Sequence, residues 1–165
     1  MTFAPKTWVV GEVVTAALLN QEIRDQFNSF FATWTTYTPT WTSSGTAPNI
    51  GNGSVTGRYL KIGRTVFCTI NLVAGTTTTF GSGNYTFGLP FQAANFVLTA
   101  VGSVHIFGAA RWNGTCLVSP ASATVAPFVS TSATNTQANW ITNTRPETLA
   151  ADAQIRMSVV YEAAS

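Results

Sequence analysis

The chain has 165 residues and a formal net charge of +2, and 45% of its residues are hydrophobic while only 8% are charged. A globular domain usually carries about 25% charged residues, so the solubility of this chain must depend on hydroxyl and amide side chains. The many Phe, Trp, Val and Thr residues argue against a disordered chain, and the few scattered basic residues argue against nucleic-acid binding.

The N-terminal sequence MTFAPKTWVVGEVV lacks the uninterrupted hydrophobic stretch of a signal peptide. No part of the chain approaches the roughly 18 consecutive apolar residues that a transmembrane helix needs. We therefore expect a protein that is made and assembled in a cytoplasm and is not inserted into a membrane.

The first predicted element is an amphipathic helix over residues 15–31. Thr15 is the predicted N-cap, because its hydroxyl can accept a hydrogen bond from a first-turn amide. Apolar residues recur at spacings of three and four and form one stripe, which consists of Ala16, Leu19, Ile23, Phe27, Phe30 and Trp34. The charged Glu22, Arg24 and Asp25 lie on other faces, so the stripe needs a cover.

Two interpretations of the stripe remain open. In the first, the helix packs on the β part of its own chain. In the second, it associates with identical helices around an axis or docks onto a larger assembly. The sequence therefore predicts an N-terminal arm and helix for attachment or oligomerisation over residues 1–34, and a β head over residues 35–165.

From Thr35 onward the hydrophobic period changes to two, which is typical of strands with one buried face. The clearest strand covers residues 64–74, and a short turn at residues 62–63 connects it to a predicted partner at 55–61. Further predicted strands are 85–89, 96–107, 115–119, 124–130, 139–142 and 155–162. We therefore predict a mainly β fold, in which an N-terminal amphipathic helix precedes an antiparallel β-sandwich of jelly-roll type.

Phe67 and Val160 place apolar groups on the face of their strands opposite to the core set. A sheet that is apolar on both faces needs a second cover, and so does the helix stripe. Packing of several copies would cover both surfaces, so we expect a homo-oligomer.

Cys68 and Cys116 both lie in strand-like runs. We interpret them as buried free thiols, with a disulfide as the alternative, because cytosolic assembly keeps thiols reduced. One histidine and two distant cysteines cannot supply clustered metal ligands, so we expect no metal and no cofactor.

The chain has no acidic residue between Asp25 and Glu147. Enzymes that cleave glycans usually need two carboxylates that flank the scissile bond. We interpret Glu147, Asp152 and Glu162 as solvated surface charges and His105 as a structural histidine. The sequence therefore predicts that the protein is not an enzyme.

Two segments carry a resemblance to a known class of proteins. The run GEVVTAALLNQEIRD, over residues 11–25, resembles the N-terminal segment of small bacteriophage virion proteins of tail, fibre or capsid-decoration type. The run YTPTWTSSGTAPNIGNGSVTGRYLKIGRTVFCTINLVAG and the following TTTTFGSGNYTFGLP resemble β modules of such proteins, especially in phages that infect actinobacteria. Together the two segments cover about half of the chain.

This resemblance implies a structural protein of the virion, often a homotrimer whose N-terminal segment attaches to other virion proteins of the capsid or tail. A surface knob, decoration protein or short fibre suits a chain of this length. The alternative is a tail protein that binds a glycan on the host surface. In that case the predicted contacts are the aromatic and amide side chains of Tyr37, Trp41, Trp112, Asn113, Asn139 and Trp140.

Overall fold

The computed structural model describes residues 6–96 and 98–164. Its helical segment consists of α1 (Ala16–Leu19), one π-helical turn (Asn20–Arg24) and α2 (Asp25–Phe30). The predicted N-cap is confirmed, because the hydroxyl of Thr15 accepts a hydrogen bond from the amide of Leu18 at 3.2 Å.

The helix ends earlier than the apolar spacing predicts. Phe31 leaves the helical conformation, with φ −103° and ψ 11°, and a strand begins at Thr35. Trp34 therefore lies in the connection between helix and strand, so its placement on the helical stripe is wrong. The Thr and Trp residues of this segment favour extended backbone, and their preference ends the helix.

The part of the chain that the structure describes has ten strands. They are β1 (Thr35–Tyr37), β2 (Trp41–Ser43), β3 (Ser54–Ile62), β4 (Thr65–Val73), β5 (Tyr85–Gly88), β6 (Ala100–Phe107), β7 (Arg111–Val118), β8 (Thr124–Ser130), β9 (Ala138–Trp140) and β10 (Gln154–Glu162). Every pairing between them is antiparallel. The prediction of a mainly β, antiparallel fold that follows an N-terminal helix is confirmed.

The strands form one curled sheet in the order β1-β3-β4-β10-β6-β7-β8-β5-β2, and β9 pairs with β8. The β3–β4 hairpin is the one that the sequence predicts, and it turns at Gly63, whose φ is +58°. Other boundaries need correction. β6 begins at Ala100 instead of Phe96, β7 begins at Arg111 instead of Thr115, and the short β1 and β2 are not among the predicted strands.

The curl brings the two ends of the sheet together. β1 and β2 are neighbours in the chain but lie at opposite ends of the strand order. The Tyr37 hydroxyl of β1 donates a hydrogen bond to the carbonyl oxygen of Gly88 in β5, at 3.2 Å. The Gly88 amide in turn donates to the carbonyl oxygen of Thr40, at 2.9 Å. The three residues between β1 and β2 therefore cross from one end of the sheet to the other.

One face of the sheet lines the core. Alternate residues of the long strands are fully or nearly fully buried there, among them Val66, Leu72, Tyr85, Phe87, Ile106, Cys116, Val125 and Ile155. This alternation follows from the strand period of two. The other face, which we call the outer face, is directed to solvent and carries both polar and apolar side chains.

Both cysteines lie on the buried face as free thiols, as predicted. The Sγ atom of Cys68 lies 3.3 Å from the hydroxyl oxygen of Tyr37. Burial raises the pKa of Cys68, and it raises the pKa of Cys116 to about 11. Both thiols are therefore neutral and poorly reactive at neutral pH.

Candidate functional site

The helical segment presents its apolar stripe to solvent. The exposed fractions are 41% for Leu19, 46% for Ile23, 62% for Phe27 and 47% for Phe30. Ala16 is exposed as well. Within the single chain, the interpretation that the helix buries this stripe on its own β head is therefore wrong, and the stripe remains open to another partner.

A second apolar surface lies on the outer face of the sheet. Phe67 and Val160 are direct cross-strand partners on β4 and β10, and their exposed fractions are 37% and 49%. The predicted apolar groups opposite the core set are confirmed. Val101 on β6 and Leu98 before it are also exposed. The described residues therefore expose apolar side chains both on the helix and on the outer face of the head.

An open cavity of about 730 Å³ lies beside this apolar surface, and we call it the outer cavity. Two cross-strand rows supply most of its lining. The first row runs across β3, β4, β10, β6 and β7 and consists of Thr56, Asn71, Arg156, His105 and Asn113. The second row consists of Arg58, Thr69, Ser158 and Ser103.

The second row continues beyond the cavity to an aromatic pair. Ser103 pairs with Thr115, Thr115 pairs with Phe128, and Phe128 pairs with Trp140 of β9. The rings of Phe128 and Trp140 lie 4.6 Å apart between centroids and are tilted against each other. The outer face therefore combines hydroxyl, amide and guanidinium groups with an aromatic platform at one end.

Two of the predicted glycan contacts are part of the core packing. The Tyr37 ring packs edge-on against Tyr59, and its hydroxyl is engaged by Gly88. The Trp41 ring stacks parallel to Phe87 at 6.4 Å and packs edge-on against Tyr85 at 5.3 Å. Tyr37 and Trp41 are therefore partly buried against the core, and their role as glycan contacts stays a prediction.

Trp112, a third predicted glycan contact, is half-buried, and its indole forms a hydrogen bond within the chain. Its Nε1 donates a hydrogen bond to Oε2 of Glu147 at 3.0 Å, and the Ala110 amide donates to the same oxygen at 3.2 Å. Glu147 is therefore half-buried and bonded, which corrects its interpretation as a solvated charge. The carboxylate fixes the turn between β6 and β7.

Of the remaining three predicted contacts, Asn113 and Trp140 lie on the outer face, whereas Asn139 pairs with the buried Val129 and lies on the opposite face of β9. Asn113 lines the outer cavity, and Trp140 belongs to the aromatic pair. The side-chain oxygen of Asn139 accepts a hydrogen bond from the Trp140 amide at 2.9 Å, so it fixes the backbone of β9. The structure separates these residues from Tyr37, Trp41 and Trp112.

Sequence reasoning missed Arg58, Arg156 and His105 as members of one cluster. Each occupies an outward position of an alternating strand, and that signal is visible in the sequence. Their proximity depends on β10 lying between β4 and β6, however, and this strand order is not encoded in any local pattern.

The other acidic residues of the head do not gather into one site. Glu162 forms an ion pair with Arg64 at 3.1 Å, and Asp152 is exposed in a turn with φ +66°. Among the described residues, no group of three or more His, Cys, Asp or Glu side chains is placed to hold a metal ion. In the same residues, no helix has the length and apolar character needed to cross a membrane.

Comparison of this chain with protein-family models, with curated proteins and with solved structures finds no match.

Proposed function

We propose that this protein is a non-enzymatic structural component of a bacteriophage virion. It forms a homotrimeric surface knob, decoration protein or short fibre and is anchored to the particle through its N-terminal segment. The observation that carries the proposal is the exposed apolar stripe of the helical segment, with Leu19, Ile23, Phe27 and Phe30 open to solvent. The phage origin itself depends on the resemblance of residues 11–25 and 37–90 to virion proteins.

The exposed stripe supports an assembly role on energetic grounds. Isolated helices shorter than about 12–15 residues are marginal in water, and the segment from Ala16 to Phe30 is interrupted by a π-helical turn. Full burial of one large apolar side chain contributes about 1.5–3 kcal/mol. Packing of three stripes around a common axis would bury four large side chains per chain and stabilise the helix.

Hydrogen bonds between the loops of the head are consistent with a rigid structural role on the particle surface. Asn52 and Thr77 bridge two loops, because the Asn52 side-chain oxygen accepts bonds from both the amide and the hydroxyl of Thr77 at 3.0 Å. Ser44 and Asn84 bridge two others, with the Asn84 amide donating to the Ser44 hydroxyl at 3.0 Å. Such networks hold the loops without charged groups, which suits a rigid building part.

Antibody-gold electron microscopy of purified virions tests this proposal. Label scattered over the capsid supports decoration and stabilisation, and label at the tail supports a short fibre. Intact particles that lack the label and lack the protein by mass spectrometry would contradict the proposal.

The second candidate function is binding of a host-surface glycan by a tail protein. The observation that favours it is the Phe128–Trp140 pair at the end of a polar row on the outer face. Trp140→Ala should then lower adsorption to host cells without loss of folding. Phe96→Ala, which removes an exposed aromatic ring from the head outside this pair, is the matched control. Equal adsorption by both variants would exclude this role for Trp140.

A further inference from the structure

We propose that the outer cavity is a binding site for an acidic saccharide, a sugar or polyol chain that bears carboxylate or phosphate groups. Arg58 and Arg156 bind the anionic groups, and the surrounding hydroxyl and amide side chains bind the sugar hydroxyls. This inference concerns the head alone and does not depend on the proposed virion role.

The charge of the cavity favours an anion. Its lining contains Arg58, Arg156 and His105 and no carboxylate among the described residues. The ion pairs found in the described part of the chain join Lys6 to Glu12, Arg24 to Asp25 and Arg64 to Glu162. The two cavity arginines therefore keep their charge uncompensated. A guanidinium group binds carboxylate or phosphate through paired N–H donors.

The two guanidinium groups differ in what they contact within the described residues. Arg156 donates a hydrogen bond to the side-chain oxygen of Gln154, a neutral amide that orients the guanidinium but leaves its charge. The side chain of Arg58 forms no ion pair or side-chain hydrogen bond there, although the Arg58 carbonyl oxygen accepts one from Thr69. Both remain exposed and available to a ligand.

The polar groups around the arginines are also available. Among the described residues, the side chains of Asn71, Asn113, Ser103 and Ser158 form no hydrogen bond with protein atoms, whereas hydroxyl and amide groups of the loops bond to one another extensively. Amide and hydroxyl groups can both donate and accept, as sugar hydroxyls do. The unused groups of the cavity therefore match a polyhydroxylated ligand.

The dimensions of the cavity fit an oligosaccharide segment. Its volume of about 730 Å³ lies within the range of roughly 300–1,000 Å³ that is usual for sites of small molecules. Arg58 on β3 lies two strands away from β10, in the same cross-strand row as Ser158, and Arg156 lies two residues from Ser158 along β10. At ordinary strand spacings the Cα atoms of the two arginines are therefore about 12 Å apart. Two anionic groups on successive units of a chain could reach both arginines.

Nucleic acid fits these features less well. Single-stranded nucleic acid is usually bound by a longer basic groove with aromatic rings on which the bases stack. The lining of the outer cavity has two guanidinium groups, and His105 is its sole ring among the described residues. The observations therefore favour a saccharide.

Isothermal titration calorimetry of the full-length protein tests this site. The probes are trigalacturonic acid, which carries carboxylates, a glycerol phosphate oligomer, which carries phosphates, and neutral maltotriose. We expect one or both acidic probes to bind and maltotriose to bind at least tenfold more weakly. The two acidic probes distinguish a carboxylate from a phosphate ligand.

Substitutions locate the binding. Arg58→Gln and Arg156→Gln should each weaken binding of the acidic probe about tenfold, the usual loss for a charge-assisted hydrogen bond. Arg111→Gln is the matched control, because Arg111 lies on the same face but outside the cavity lining, with its guanidinium over the Phe107 ring at 4.6 Å. Arg111→Gln should change the affinity less than threefold, a margin well below tenfold.

Three results would overturn the inference. The first is that neither acidic probe binds at millimolar concentration. The second is that the affinity is unchanged in the Arg58→Gln/Arg156→Gln double variant while circular dichroism shows that this variant is folded. The third is that an oligothymidylate binds more tightly than either acidic saccharide, which would assign the site to nucleic acid.

Discussion

The hydroxyl of Tyr37 and the carbonyl oxygen of Gly88 form a hydrogen bond of 3.2 Å that joins the two ends of the curled sheet. Gly57 is the cross-strand partner of Tyr37, and a Cβ atom there would collide with the Tyr37 ring. The absence of a side chain at Gly57 therefore lets the ring lie across the inner face and reach β5. This pair of positions therefore supplies one of the contacts between the two ends of the sheet.

Tyr37→Phe should lower the free energy of unfolding by about 1–2 kcal/mol, because it removes the bond to Gly88 and the contact with the Cys68 thiol. Urea unfolding followed by circular dichroism measures the change. Tyr59→Phe is the matched control, since Tyr59 packs against the same ring and its hydroxyl forms no hydrogen bond among the described residues. Equal stability of the two variants would show that the Tyr37 hydroxyl does not hold the sheet closed.

Ile23→Asp combined with Phe27→Asp should abolish the oligomer while the β circular dichroism of the head is retained. The two side chains lie on the exposed stripe, where an oligomer would bury them next to the same residues of other copies. Burial of unpaired carboxylates in such an interface is strongly unfavourable. Analytical ultracentrifugation of the full-length chain measures the mass.

Gln21→Asp combined with Asn28→Asp is the control for the helix variant. It adds the same two negative charges to exposed positions of the helical segment outside the stripe. This variant should keep the mass of the unsubstituted protein. A monomeric unsubstituted protein, or an oligomer that survives the stripe substitutions, would contradict assembly through this helix.

Glu147→Ala should lower the free energy of unfolding by about 1–3 kcal/mol, because it leaves the Trp112 indole and the Ala110 amide without their acceptor. Glu162→Ala is the control, since its ion pair with Arg64 is largely exposed and such pairs contribute about 0–1 kcal/mol. Urea unfolding compares the two variants. A loss for Glu147→Ala no larger than that for Glu162→Ala would show that the carboxylate is not a structural anchor.

The sequence predicted those features that local patterns encode. Thr15 predicts the start of the helix, because it is an N-cap residue. The alternation of apolar and polar residues around Cys68 predicts strand β4 and its buried face. The short strands β1 and β2 escaped prediction because three residues give too little periodicity. Their positions follow from long-range contacts, such as that between Tyr37 and Gly88.

The candidate site also combines features that local sequence patterns predict with features that depend on long-range contacts. The aromatic residues were predicted as glycan contacts from residue type, but burial decides which rings are free, and Trp41 lies against Phe87 in the core. The outer cavity consists of residues from five strands whose order is not sequential. Arg58 and Arg156 are almost a hundred positions apart, and only the pairing of β10 with β4 brings them together.

Stability should fall at alkaline pH because of the buried thiols. Burial raises the pKa of Cys116 from its usual 9.0 to about 11, and it raises that of Cys68 in the same direction. The unfolded chain therefore releases these protons near pH 9 while the folded chain retains them. The stabilisation from the neutral Cys116 thiol is complete below pH 9 and is lost as the pH rises from 9 toward 11, and the stabilisation from Cys68 is also lost as the pH rises.

The free energy of unfolding in urea should be constant between about pH 7 and 8 and should decrease above about pH 9, with a limiting slope of about 1.4 kcal/mol per pH unit for each thiol. Above about pH 10 the buried tyrosines add to the loss, because burial also raises the pKa of Tyr37, Tyr85 and Tyr161. Cys116→Ala should have a smaller slope between about pH 9 and 10. Equal slopes for Cys116→Ala and the unsubstituted protein would show that the Cys116 thiol does not control this pH dependence.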